Sequence, residues 1–278
     1  MGYLILAVAA SALVSVIMRL SSQRVAHNIA MLTMNYLMCT VVSAAYVGFT
    51  ALLPRADGLP AALSMGAIHG ALYLISFVLL QSNIKKNGVV LSATFMKLGL
   101  LVPMAASVLF FGEMPSVAQL LGFAMAIAAI FLINREKDSG AARSVGGLLL
   151  LLLCGGCGDV MAKVFEQFGE AALSGQFLFY TFTAALTLCF LLMLYHKQHP
   201  GKAEIFWGIL IGVPNFFSAK FLLRALDTVP AVIAYPTYSV ATLLVITLAG
   251  VLLFRERLDR RQWLALGIIL AALALLNL

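Results

Sequence analysis

Apolar residues run along this chain in stretches of about twenty, each closed by a short cluster of charged or turn-forming residues. The pattern predicts helices over 3–20, 28–50, 61–82, 88–112, 116–134, 145–167, 173–195, 203–225, 231–254 and 262–278. The breaks are sharpest at Pro54 with Asp57-Gly58, at Lys85-Lys86-Asn87-Gly88, at His199-Pro200-Gly201 and from Arg135 to Arg143. Each run matches the ~20 residues a helix needs to cross ~30 Å of hydrocarbon, where backbone polar groups must be satisfied within the segment. The expected fold is an all-α integral membrane protein with ten transmembrane helices.

The polar positions then add a second pattern, a repeat. Glu113, Gln119 and Asn134 reappear as Glu256, Gln262 and Asn277, all at an offset of 143 residues. At the same offset Val89, Val90, Thr94 and Phe95 face Val232, Ile233, Thr237 and Tyr238. Apolar matches carry little weight in so hydrophobic a chain, but three polar matches at one spacing indicate duplication. The expected organisation is a five-helix repeat over 1–134, a linker loop over 135–144 and a second five-helix repeat over 145–278. An odd number of helices per unit inserts the second unit upside down, so the repeats are expected to be inverted, an arrangement common in transporters.

Composition excludes a water-soluble protein. The chain is 63% hydrophobic and 10% charged, with mean hydropathy +1.03. Soluble domains average nearer ~25% charged residues. The net charge of +7 is scattered over short loops, without a basic face or a reading motif, so nucleic acid is not an expected partner. The charge orients the chain instead. Loops after odd-numbered helices hold thirteen Lys and Arg, those after even-numbered helices only Arg55 and Arg224. Basic loops stay in the cytoplasm, which places both termini outside. The first apolar run lacks a basic lead and a small-residue cleavage site, so it reads as a retained helix. All four Cys lie in apolar segments and imply no disulfide framework.

The segments from Phe111-Gly112-Glu113 to Leu132 and from Phe254-Arg255-Glu256 to Leu275 resemble the drug/metabolite transporter superfamily in its EamA-like ten-helix form. There a Gly-Glu closes helix 4 or 9 before a short turn and a Gly-rich last helix. The resemblance spans the whole chain in helix number and duplication. The chain departs from it where Arg255 stands for the Gly of the second copy and where Ala265 stands opposite Gly122, with Gly267 nearby. The resemblance implies a carrier of small metabolites or drugs in the plasma (bacterial inner) membrane, with the lipid bilayer and a small solute as partners. It also implies cytoplasmic termini, opposite to the charge count.

The residues that break the repeat are the better candidates for chemistry. Lys97, Lys163, Lys220, His69 and Asp159 face Val240, Leu20, Phe77, Gly212 and Val16 at the repeat offset. A charge inside a membrane helix costs ~2.5–3.5 kcal/mol on insertion scales, so it marks either a substrate site or a compensated ion pair. Lys97, Lys163 and Lys220 are candidate solute contacts, and their surplus over Asp159 favours an anionic or zwitterionic solute, such as an amino acid or organic acid. Lys97 lies ahead of Pro103, which removes a backbone donor. Asp159 and Lys163 are four residues apart on one helix face and read equally as an intrahelical pair. Asp159 and Glu166 are candidates for proton coupling. Tyr235 and Tyr238 flank Pro236 and are candidate aromatic walls for the solute, or packing residues.

Glu113 and Glu256, shared by both copies, read as scaffold: a carboxylate ahead of a helix N-terminus meets free N–H groups and the positive dipole end. In Cys154-Gly155-Gly156-Cys157 the small residues point to close helix packing rather than to metal or redox chemistry. No phosphate-binding loop, G-x-S-x-G or H-E-x-x-H occurs, so no catalytic residue, cofactor or metal is assigned and an enzyme is not expected. The sequence thus predicts a secondary active transporter working by alternating access, as monomer or homodimer. The alternatives are a lipid flippase on the same fold and a membrane-embedded enzyme.

Overall fold

The structure, a computed structural model, describes residues 1–21, 24–87, 92, 95–96, 98–133, 145–254 and 260–278. Its α-helices are α1 Gly2–Ser21, α2 Asn28–Val47, α3 Leu59–Asn87, α4 Leu101–Phe110, α5 Val117–Ile133, α6 Val145–Phe168, α7 Ser174–Tyr195, α8 Lys202–Leu226, α9 Ala231–Phe254 and α10 Arg260–Leu276. Among the described residues seven helices are long and apolar enough to cross a membrane: α1, α2, α3, α6, α7, α8 and α9. The apolar parts of α4, α5 and α10 are shorter.

The predicted limits of most elements fall within one to three residues of the observed ones. The exception is α3; most of the predicted run before Leu98 lies outside the described residues. The helical pattern of α3 continues through Lys85, Lys86 and Asn87, although its apolar span ends at Leu80. Within the run predicted over 88–112, Ser92, Phe95, Met96 and Leu98 are helical, a turn falls at Gly99-Leu100 and α4 follows from Leu101. Pro103, with no N–H to give, sits in the first turn of α4, where none is needed.

The chain forms two compact units, each drawing on both halves of the sequence: Met1–Leu74 with Met161–Asp227, and Ile75–Val160 with Thr228–Leu278. In the first unit, α1 and α2 pack on α8, and α2 also packs on α7. Glycines let backbones approach. A Cβ at Gly208 would lie 2.6 Å from the Met31 carbonyl oxygen, and one at Gly212 would lie 2.7 Å from that of Asn35. Gly66 and Gly70 meet α7 in the same way, with a Cβ at Gly70 colliding with the Thr181 carbonyl. Such small-xxx-small spacing is how membrane helices gain contact where lipid offers no hydrophobic drive. Ile17, Met31, Trp207 and Ile211 close the apolar core of this unit.

In the second unit α5 packs on α10, and α9 packs on α10, α4 and α5. Ala126, Ala129, Val240, Leu266, Ile269 and Ala272 form one buried cluster. Gly122 abuts α10, where a Cβ would lie 2.9 Å from the Ala272 carbonyl oxygen. The start of α4 crosses α6 at Gly156, where a Cβ would meet the Gly99 carbonyl and Val102. Of the glycines in the Cys154–Cys157 segment, Gly156 makes the close contact and Gly155 faces open space.

Candidate functional site

Lys220 lies within α8, six residues before its end. Its ammonium sits 3.5 Å from the centroid of the Tyr46 ring, with the Phe217 ring 5.7 Å away. Among the described residues no carboxylate lies within ion-pair distance of it. A cation on an aromatic face gains ~0.5–2 kcal/mol. Placing Lys at the centre of a membrane helix costs ~2.5–3.5 kcal/mol, and less towards a helix end. The rings offset part of the cost that Lys220 meets two turns from the end of α8. One turn on, Arg224 reaches Asp227 at 3.5 Å, with both side chains more than two-fifths exposed. A stack of Tyr3 on Phe221 (6.3 Å) and of Phe221 on Phe217 (5.6 Å) lines the neighbouring face.

Lys163 is handled differently. It is 5% exposed, and its ammonium donates to the Glu166 carboxylate at 2.6 Å. Glu166 was expected as a proton-coupling residue near a helix end; the structure gives it a buried basic partner one turn back. The next ring, Phe165, stacks on Phe177 at 4.1 Å, and Phe177 stacks on His69 at 5.5 Å. His69 is 3% exposed and tilted against Tyr73, and its Nδ1 has no hydrogen-bond partner among the described residues. Lys163, Glu166, His69 and Lys220 all belong to the first compact unit.

Asp159, Tyr235 and Tyr238 belong to the second unit. The Tyr235 hydroxyl donates to the Asp159 backbone carbonyl, and its ring is 1% exposed. In this conformation Tyr235 is a packed ring tied to α6 rather than an open wall, while Tyr238 is half-buried. Lys97, Asn134, Glu256 and the linker 135–144 lie outside the described residues, as does the side chain of Gln262.

The Gly-Glu pair after α4 has a clear physical task. Gly112 adopts φ +67°, the left-handed region glycine tolerates, and the turn lets the Glu113 N–H donate to the Ser107 carbonyl. The Glu113 carboxylate then accepts the Val232 N–H at 2.9 Å, in the first turn of α9. Glu113 thus caps a helix N-terminus, but that of α9 rather than of α5, the helix it precedes. Helix α5 is capped by its own Ser116 and Gln119, which exchange backbone-to-side-chain hydrogen bonds at 2.9 and 3.2 Å.

Three features escaped the sequence. Tyr46 carries no signal that it will meet Lys220. Glu204, 5% exposed, accepts from Ala26, His27 and Gly201 N–H groups and so ties the starts of α2 and α8. The Gly201-x-x-Glu204 spacing after Pro200 marks its local half; the link to α2 has no local mark. Asn215, next to Pro214, donates to Asn35 at 3.1 Å, and Cys39 reaches the Gly212 carbonyl. Among the described residues no cluster of three or more His, Cys, Asp and Glu is placed to hold a metal ion.

An all-helical chain with this many spanning-length apolar helices is a multi-pass membrane protein. The sequence model of the EamA-like transporter family matches it over residues 1–135 and 144–278, and the chain belongs to that family. It is therefore a membrane transporter of the drug/metabolite kind, in a family of transporters rather than enzymes. It is 23% identical over 231 residues to an uncharacterized protein of Haemophilus influenzae, a match covering 81% of this chain and 77% of the other. A solved crystal structure shares its fold, with TM-score 0.78 and 15% identity over 98% of this chain and 94% of that one.

Proposed function

We propose that this chain is a secondary active carrier of a small anionic or zwitterionic solute, such as an amino acid or organic acid, working by alternating access. The observation that carries the reading is Lys220, a cation inside a spanning helix that meets aromatic faces but no carboxylate among the described residues. Its remaining cost is met when a solute carboxylate or phosphate arrives. Lys163 serves the same solute by exchanging its Glu166 partner for it, and Glu166 takes up the coupling proton as it is released. The assignments of Lys97, Tyr235 and Tyr238 to solute contact, and of Asp159 to coupling, belong to the same proposal.

In this reading α4, α5 and α10 also cross the bilayer of the plasma membrane, giving ten spans in two inverted five-helix repeats over 1–134 and 145–278. The match of one family model to each half supports that duplication. The test is a flux screen: purified protein in liposomes, with radiolabelled amino acids, organic acids, phosphorylated metabolites and organic cations offered in turn. Flux of an anion or zwitterion, with none for bare cations, is expected. Flux of cations alone would overturn the charge argument.

A further inference from the structure

Lys220 and Arg224 lie one turn apart on the same face of α8, within its last two turns. The Tyr46 ring of α2 covers the Lys220 ammonium at 3.5 Å. The acid at hand, Asp227, touches Arg224 at 3.5 Å through a pair so exposed that solvent screens it, and it does not reach Lys220. The cluster keeps a surplus positive charge, and its inner cation is held by a π face, a weaker partner than an oxyanion. The ring centroids of Tyr46 and Phe217 lie 3.5 and 5.7 Å from that cation.

We propose that Lys220 and Arg224 form an oxyanion-binding subsite, taking a carboxylate or phosphate between them, with Tyr46 as the internal ligand that an incoming anion displaces. The guanidinium grips the oxyanion through paired N–H donors, the ammonium neutralises it, and Phe217 offers a flat wall to whatever the anion is attached to. The subsite deepens the carrier reading and rests on it only for the claim that the anion belongs to a transported solute. The same chemistry would hold the phosphate of a lipid headgroup, since Tyr46 and Arg224 both lie near helix ends.

The experiment uses the full chain in nanodiscs. In one arm, in phosphatidylcholine, benzoate and inorganic phosphate are titrated by calorimetry. In the other, phosphatidylglycerol is included and bound lipid is counted by native mass spectrometry. Oxyanion binding is expected in at least one arm, and the arm in which it appears identifies the source. Lys220→Met and Arg224→Met are each expected to weaken it about tenfold or more. Tyr46→Ala is expected to strengthen it, and Tyr46→Phe to fall between Ala and the native residue. Monodisperse elution and unchanged thermal unfolding establish that the variants fold; Lys220→Arg, which keeps the charge, is expected to restore binding.

Equal binding by the native protein and both Met variants would overturn the subsite, as would no binding in either arm by folded native protein. Solute flux that survives both Met substitutions overturns the claim that the anion belongs to the transported solute and leaves transport itself intact. Anion binding lost in the Met variants, in a native protein that moves no solute, supports the subsite and overturns the carrier reading.

Discussion

At the scale of single residues, burial sorts the ion pairs by consequence. Lys163 is buried and Glu166 half-buried, with side chains 6% and 18% exposed, whereas Arg224 and Asp227 are 44% and 43% exposed. Breaking a buried pair leaves a charge in a poor solvent and costs ~3–5 kcal/mol, while an exposed pair is worth ~0–1 kcal/mol. Glu166→Gln is therefore expected to lower the thermal unfolding temperature of the purified protein clearly, and Asp227→Asn hardly at all. Glu113→Ala removes the cap on Val232 and is expected to cost ~1–2 kcal/mol, more than Glu113→Gln, whose amide oxygen still accepts. Equal shifts for Glu113→Ala and for an exposed loop substitution would refute that role. The sequence singled out Glu166 because charge in an apolar run is conspicuous, and Glu113 because it recurs at the repeat offset. It could not pair them with distant partners: Glu113 meets a residue 119 positions away, and Glu204 meets Ala26 across 178.

At the scale of elements, the apolar period and its breaks located the helices well. A run that must cross hydrocarbon has its length set by the membrane, and charge or proline ends it. The turn at Gly99-Leu100, inside the run predicted over 88–112, is a break that a hydropathy pattern does not register. Helix contacts were legible only as a surplus of glycine; which glycines touch depends on packing. Gly156→Val should overlap the Gly99 carbonyl and Val102 and cost ~1–3 kcal/mol, while Gly155→Ala, with nothing within 4 Å, should be neutral or slightly stabilising. Thermal unfolding of the two variants side by side decides; similar losses would contradict the contact between α4 and α6. Gly208→Leu and Gly70→Leu are expected to behave like Gly156→Val, at the α8–α2 and α3–α7 contacts.

At the scale of the molecule, one family model fits residues 1–135 and again residues 144–278. The compact units follow a different division, each taking helices from both halves. That exchange has no signature in the sequence, because hydropathy says which segments enter the membrane and not which neighbours they choose. The bias of thirteen basic residues to two predicts that a reporter active only outside the cytoplasm works when fused to Leu278. Activity of a cytoplasmic reporter there instead would reverse the orientation. The central claim, a carrier that binds a solute anion through Lys220, is tested most directly by counterflow in proteoliposomes. Native protein and Lys220→Arg should exchange a labelled anionic or zwitterionic solute, and folded Lys220→Met should exchange it at least about tenfold more slowly. Equal exchange by all three proteins, or none by any with every one folded, would contradict the account.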